Sequence, residues 1–222
     1  MICPQFCMTR LVALVLVLFA FCRASAALEQ WKAEIDRFTA ADAAQPPPSQ
    51  AVLFIGSSTI RKWTSLAKDF PAVPVINRGF GGSELSDSVF YADRIAIPYR
   101  PRLIVVYGGD NDLARGKTPE IVHADFRAFC AKIHAALPQT RILFAAIKPS
   151  PAREKLKDKI VAANALIAAD CRQDKRLGYA DVYTPMLDAK GGMRPELFLQ
   201  DMLHMNEAGY AVWTRVIRPL LK

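Results

Sequence analysis

Ser58 stands in Gly56-Ser57-Ser58-Thr59, directly after the apolar run 52–55. A serine at a tight strand-to-helix turn projects its hydroxyl over a sheet edge. Its own N–H then lies near a helix start, a place that favours negative charge. Serine and threonine also cap helices there, and the elbow G-x-S-x-G is absent. Asn77-Arg78-Gly79-Phe80-Gly81-Gly82-Ser83 follows the run 73–76. Its three glycines permit unusual backbone angles and close approach of a ligand, and their N–H groups could hold an oxyanion or a phosphate. No G-K-[ST] follows, so it is not a Walker loop. Gly108-Gly109-Asp110-Asn111-Asp112 follows the run 103–107. Asn111 could aim its amide N–H₂ at a developing negative oxygen, and Asp112 could orient neighbouring loops. Near the carboxyl end, Asp201-Met202-Leu203-His204 offers a base that titrates near neutrality, with an acid three residues ahead that can fold back onto its ring.

Each piece alone has an ordinary structural reading as a cap, a turn or a surface residue. Together they supply one nucleophile, two kinds of oxyanion donor and one oriented base, a complete set for acyl transfer. His123 and His134 fall mid-helix beside polar residues and read as surface positions.

These residues need a scaffold that brings strand ends together. Short apolar runs at 52–55, 73–76, 103–107, 142–146 and, more weakly, 178–182 alternate with helical stretches at 59–68, 84–97, 119–137, 153–171 and 206–221. Continuous Val- and Ile-rich runs mean burial on both faces, as in a parallel sheet covered by helices. The alternation predicts a three-layer α/β/α sandwich with a parallel sheet of about five strands. Ligands in such folds collect at the carboxyl ends of the strands, where the candidate residues lie. Ahead of this body, 28–43 reads as a helix and 44–50, with three consecutive prolines, as a linker.

The first 26 residues read differently. Arg10 is the one charged residue in the first ten, 11–21 is wholly apolar, and Ala24-Ser25-Ala26 follows. This is the order of a secretory signal, and the apolar run is short for a spanning helix, which needs roughly 20 residues. The division expected is therefore a signal at 1–26, a helix and linker at 27–50, and the main domain at 51–222. The protein would be secreted or periplasmic, with no stable membrane span after cleavage. Cleavage before Ala27 would remove Cys3, Cys7 and Cys22. Cys130 and Cys171 would remain, either as one disulfide or as two buried thiols on neighbouring helices.

Of 222 residues, 52% are hydrophobic and 23% charged, enough apolar material for one sizeable core. The net charge of +8 falls to +6 without Arg10 and Arg23. Its cations are scattered, Lys148, Arg153, Lys155, Lys157 and Lys159 among them, and read mostly as solvated helix faces. No basic motif interleaved with aromatics points to nucleic acid. Three histidines and no CxxC pair give no metal spacing.

The blocks resemble the SGNH hydrolase superfamily, also called GDSL-like lipases or esterases. Phe54-Ile55-Gly56-Ser57-Ser58 matches the first block and puts the nucleophile on Ser58. In the second block the family spacing selects Gly82 over Gly79 and Gly81. Gly109-Asp110-Asn111-Asp112 matches the third and selects Asn111, and Asp201 with His204 matches the fourth. The resemblance extends through His204-Met205-Asn206-Glu207-Ala208-Gly209-Tyr210 and spans about 51–221. Ser57 stands where the usual pattern has Asp. The resemblance implies a flavodoxin-like fold with an open, shallow site, and hydrolysis of esters or thioesters without metal or organic cofactor. Ser58, His204 and Asp201 would form the triad, and Ser58, Gly82 and Asn111 the oxyanion hole. The expected substrate is a small-molecule or polysaccharide ester carrying a short acyl group such as acetyl. Lysophospholipase or acyl-thioesterase action, and carbohydrate binding without catalysis, are the alternatives.

Overall fold

A computed structural model of the protein describes residues 30–222. The signal expected at 1–26 lies outside the described residues. Five strands, β1 (Val52–Gly56), β2 (Val75–Gly79), β3 (Leu103–Tyr107), β4 (Arg141–Ala145) and β5 (Leu177–Ala180), form one parallel sheet in the order β2-β1-β3-β4-β5. The helices are α1 (Lys32–Ala44), α2 (Ser58–Arg61), α3 (Leu66–Asp69), α4 (Leu85–Ile95), α5 (Asp110–Ala114), α6 (Pro119–Ala136), α7 (Lys157–Gln173) and α8 (Glu207–Ile217). Among the described residues no helix is long and apolar enough to cross a membrane.

The continuous apolar runs are explained by alternation. Successive side chains of a strand point to opposite faces. Leu53 and Ile55 therefore join one core with Ile104 and Val106, beneath α1, α4, α6 and α7. Val52 and Phe54 join the other with Leu103, Val105 and Tyr107, beneath α2, α3 and α8. Burying each such side chain is worth about 1.5–3 kcal/mol, so both faces must be covered. This is the three-layer sandwich read from the sequence.

Some boundaries differ. β2 starts at Val75, because Pro74 has no N–H to give the ladder, and it runs on through Asn77 and Arg78 to Gly79. As an edge strand it tolerates these polar residues. Arg78 is buried between the Phe38 and Tyr99 rings and pairs with Asp42 of α1. The single helix expected at 59–68 is two short ones. Trp63 sits between them, packed on Phe54, Phe70 and Tyr210, with its indole N–H on Asp69. The helix expected from 153 begins at Lys157, after a 3₁₀ segment Pro151–Leu156 in which Arg153 leaves helical geometry.

The α1 helix is not a loose extension. Ile35 is fully buried in the core, and Trp31 meets Phe80 edge to face at 6.0 Å. Cys130 on α6 is a buried free thiol, and Cys171 on α7 is a half-buried one bonded to the Gly178 carbonyl. Burial pushes the Cys171 thiol up to about 12 and Cys130 higher still.

Candidate active site

The order β2-β1-β3-β4-β5 reverses direction between β1 and β3, and a crevice opens at the carboxyl ends of strands where it does so. Ser58 follows β1 and Asn111 follows β3, so the two flank that crevice. Gly56 makes the turn possible. Its φ is +146°, and a Cβ there would stand 1.9 Å from the Tyr107 carbonyl oxygen. The chain then enters α2 at Ser58, whose side chain is half-buried.

His204 arrives from the far end of the sequence. Its loop is pinned by a bridge between Phe198 and Met205 and by bonds from the Leu199 N–H to the His204 carbonyl and the Met202 N–H to the Leu199 carbonyl. Met202 occupies the left-handed region, φ +53°, a conformation that costs a non-glycine residue about 1–3 kcal/mol. That turn folds Asp201 back. Its Oδ1 accepts the N–H groups of Leu203 and His204 at 3.0 and 2.9 Å, and its Oδ2 lies 2.6 Å from His204 Nδ1. Burial alone would raise the Asp201 carboxyl, but the His204 ring and the two N–H groups outweigh it and hold the pKa well below the usual range. An ionised carboxylate only accepts, so Nδ1 carries the proton and Nε2 presents its lone pair. Nε2 lies 3.0 Å from Ser58 Oγ.

The tail after His204 anchors this loop. Asn206 caps α8 through Gly209 N–H and donates to the Glu196 and Phe198 carbonyls. Tyr210 Oη donates to the Thr59 carbonyl at 2.9 Å, which ties α8 to the nucleophile turn.

Three glycines compete in the second loop, and their N–H groups separate them. Gly79 N–H donates to Asn77 Oδ1 at 2.9 Å, and Gly81 N–H to Glu34 Oε2 at 3.0 Å. The N–H groups of Gly82 and Ser58 have no partner among the described residues. A Cβ built on Gly82 would stand 3.8 Å from Asn111 Nδ2, so these two are neighbours. Asn111 Nδ2 donates to the Ser83 carbonyl at 3.0 Å. Asp112 is buried and accepts the N–H groups of Gly109 and Leu85 together with Lys117 Nζ, joining the second and third loops. Burial raises its pKa to about 6.

The sequence reading of Lys148 as a solvated cation is corrected. Lys148 follows β4 and is buried, 3.2 Å from Asp110 Oδ2 and 3.3 Å from Tyr107 Oη. A charge this deep persists because it is paired. Arg153 also leaves the solvated set, with Nη2 at 3.4 Å from Asn111 Oδ1. The signal was available in part, since Lys148 occupies a strand end like the other site residues. His123 and His134 are half-buried rather than open surface. His123 pairs with Asp170 at 2.7 Å, and His134 meets the Thr140 carbonyl at 3.1 Å. Both lie on α6 and take no part in this cluster. An apolar cavity of about 620 Å³ at Phe70, Val73 and Leu221 lies at the amino-terminal ends of the strands, opposite Ser58.

A parallel α/β/α sandwich with this cluster at its switch point is of the hydrolase class built on that scaffold. More particularly, the model of the GDSL-like Lipase/Acylhydrolase family matches residues 54–212, and the chain belongs to that family. No curated protein sequence matches the chain. Among solved structures, a provisionally assigned platelet activating factor from Streptococcus pneumonia superposes with a TM-score of 0.77 at 19% identity, covering 92% of this chain and 99% of that one. A GDSL-like lipase from Bacteroides thetaiotaomicron gives 0.73 at 21% identity, with 84% and 96% covered. A catalytic mutant of an acetylxylan esterase from Geobacillus stearothermophilus gives 0.62 at 13%, with 76% and 93% covered. At these identities the likeness is one of fold.

Proposed function

We propose that the protein is a serine esterase that removes short acyl groups, acetyl foremost, from a carbohydrate or other polar ester. The observation that carries the reading is the chain Ser58 Oγ to His204 Nε2 at 3.0 Å and His204 Nδ1 to Asp201 Oδ2 at 2.6 Å. In this reading His204 Nε2 takes the Ser58 proton as Oγ bonds to the ester carbonyl carbon. The carbonyl oxygen becomes an oxyanion held by the N–H groups of Ser58 and Gly82 and by Asn111 Nδ2. The intermediate collapses, the ester C–O bond breaks, and the imidazolium gives its proton to the leaving alcohol. Water then attacks the acyl-serine with His204 again as base, releasing the acid and restoring Ser58. Asp201 keeps the tautomer throughout.

Support for a small acyl group comes from the half-exposed setting of Ser58, Gly82 and Asn111, with polar groups around them. The fold shared with an acetylxylan esterase agrees with it. The amino-terminal segment, read as an export signal, would place the substrate outside the cytoplasm.

The test uses p-nitrophenyl acetate, butyrate and octanoate with the parent and Ser58→Ala. Turnover fastest on acetate and abolished in a folded Ser58→Ala protein is the expected result. Turnover that survives the substitution would refute the assignment of Ser58, and octanoate as the best substrate would refute the short-acyl reading.

A further inference from the structure

The Asn111 amide can be read donor by donor. It has two N–H donors and one carbonyl oxygen. One N–H goes to the Ser83 carbonyl at 3.0 Å, and Oδ1 faces Arg153 Nη2 at 3.4 Å. The backbone N–H of Asn111 is held by Asp110 Oδ1 at 3.0 Å, and Asp110 is itself paired with buried Lys148. One side-chain N–H remains, on the edge beside Gly82.

We infer that Arg153 is a positioning residue that, together with the Ser83 carbonyl, sets the polarity of the Asn111 amide, so that nitrogen and not oxygen faces the oxyanion. This rests on the reading of Asn111 as an oxyanion donor. An amide turned by half a rotation about its last torsion fills almost the same space, so packing alone does not choose between its ends. Hydrogen bonding does. A guanidinium only donates, so the edge that meets Arg153 must be the oxygen. After a flip, Nδ2 would face the guanidinium N–H and Oδ1 would face the Ser83 carbonyl, donor against donor and acceptor against acceptor. An oxygen turned toward the oxyanion would repel the charge it is meant to hold.

The backbone around Arg153 is shaped for this reach. Pro149 and Pro151 delay the start of α7, and Arg153 departs from helical angles at φ −118° and ψ 19°. Its N–H bonds to the Ser150 carbonyl at 2.8 Å. Ala152 N–H donates to the Met202 carbonyl at 3.0 Å, so the same turn touches the loop that carries Asp201 and His204. The bond to Asn111 is the one hydrogen bond of the Arg153 side chain among the described residues, and no carboxylate pairs with it there.

A kinetic double-mutant cycle tests the inference. Arg153→Met, Asn111→Ala and the double variant would be compared with the parent on p-nitrophenyl acetate, with thermal melts of all four. Asn111→Ala is expected to lower kcat by about 10²–10³, the usual cost of one oxyanion donor, and Arg153→Met by about tenfold or more. Neither should move KM by more than about twofold, and the double variant should match Asn111→Ala within about twofold. Arg153→Lys, which keeps the charge without the fork, should recover only part of the loss and serves if Arg153→Met melts early. Costs that multiply in the double variant would overturn the inference, as would full kcat in Arg153→Met. A silent Asn111→Ala beside an inactive Ser58→Ala would remove the oxyanion role and the Arg153 role with it, while the serine esterase reading stood. An active Ser58→Ala would remove that reading itself.

Discussion

Replacing Lys148 by Met keeps most of the apolar stem and deletes the charge that faces Asp110. The two side chains are 1% and 6% exposed, and 3.2 Å separates Nζ from Oδ2. Removing one partner of such a pair leaves the other charge buried and uncompensated, which costs about 3–5 kcal/mol. In a domain of this size each kcal/mol moves Tm by roughly 2–4 °C, so the expected drop is roughly 6–20 °C. Removing both charges, as in Lys148→Met with Asp110→Leu, should cost much less than the single change, since nothing charged is then stranded.

The pH dependence gives the sharper test. In the native protein burial alone would raise the Asp110 carboxyl, but the Lys148 charge and the bonds from Lys148 and Tyr107 outweigh it, and the pKa is lowered. A lowered folded pKa contributes stability above the unfolded value of about 3.9 and loses it as pH falls through the folded pKa. Without Lys148 only the Tyr107 bond, the Asn111 N–H and the more distant Arg153 charge oppose the burial cost, and the Asp110 pKa is expected to rise above the unfolded value. Such a group destabilises most at high pH, and the penalty fades as the carboxyl takes up a proton. The gap between parent and Lys148→Met should therefore be widest at pH 8 and narrow toward pH 5. Urea unfolding of both proteins at the two pH values measures it. A gap below about 1 kcal/mol at pH 8, or one of equal size at both pH values, would refute the argument.

Asp201→Asn should fold normally and lose on the order of 10⁴ in kcat at unchanged KM, because an amide N–H facing Nδ1 favours the wrong tautomer. Steady-state kinetics decides it, and a loss below about tenfold would remove Asp201 from the triad. Ser57→Ala should keep kcat and hold or raise Tm, since Ser57 Oγ is buried without a partner among the described residues and its removal leaves nothing unsatisfied there. A fall in stability beyond about 1 kcal/mol in a thermal melt would show that this hydroxyl makes a bond after all.

The fold was legible because both faces of the sheet are covered. Runs such as Leu103–Tyr107 carry no polar interruption, and only burial on two sides produces that. Legibility failed where the edge begins. In β2, Asn77 and Arg78 look like the start of a loop, yet they continue the strand opposite Phe54 and Ile55. It failed again at Trp63, whose packing under Phe54 splits a segment that reads as one helix. The candidate site residues stood out because each combines a reactive or donor group with a strand end or a late turn. Lys148 and Arg153 did not, since a cation in a sequence is by default a solvated one, and only tertiary placement reveals a partner such as Asp110 or Asn111.

The choice among Gly79, Gly81 and Gly82 shows what the sequence leaves to the fold. All three can bring an N–H close to a ligand, and spacing alone ranks them only by likeness to relatives. In the fold the three differ in whether the N–H is spent or free among the described residues. Asn77, on the strand itself, takes the Gly79 N–H. Glu34, on α1, takes the Gly81 N–H, and Trp31 packs so close to Gly81 that a Cβ there would stand 1.7 Å from its ring. The helix ahead of the proline run, which contributes no candidate catalytic side chain, thus fixes the glycine loop and leaves Gly82, the neighbour of Asn111, with its N–H unspent among the described residues. A protein trimmed to residues 51–222 would free the Gly81 N–H and uncover Phe80, so the amino-terminal helix belongs to the site as much as to the core.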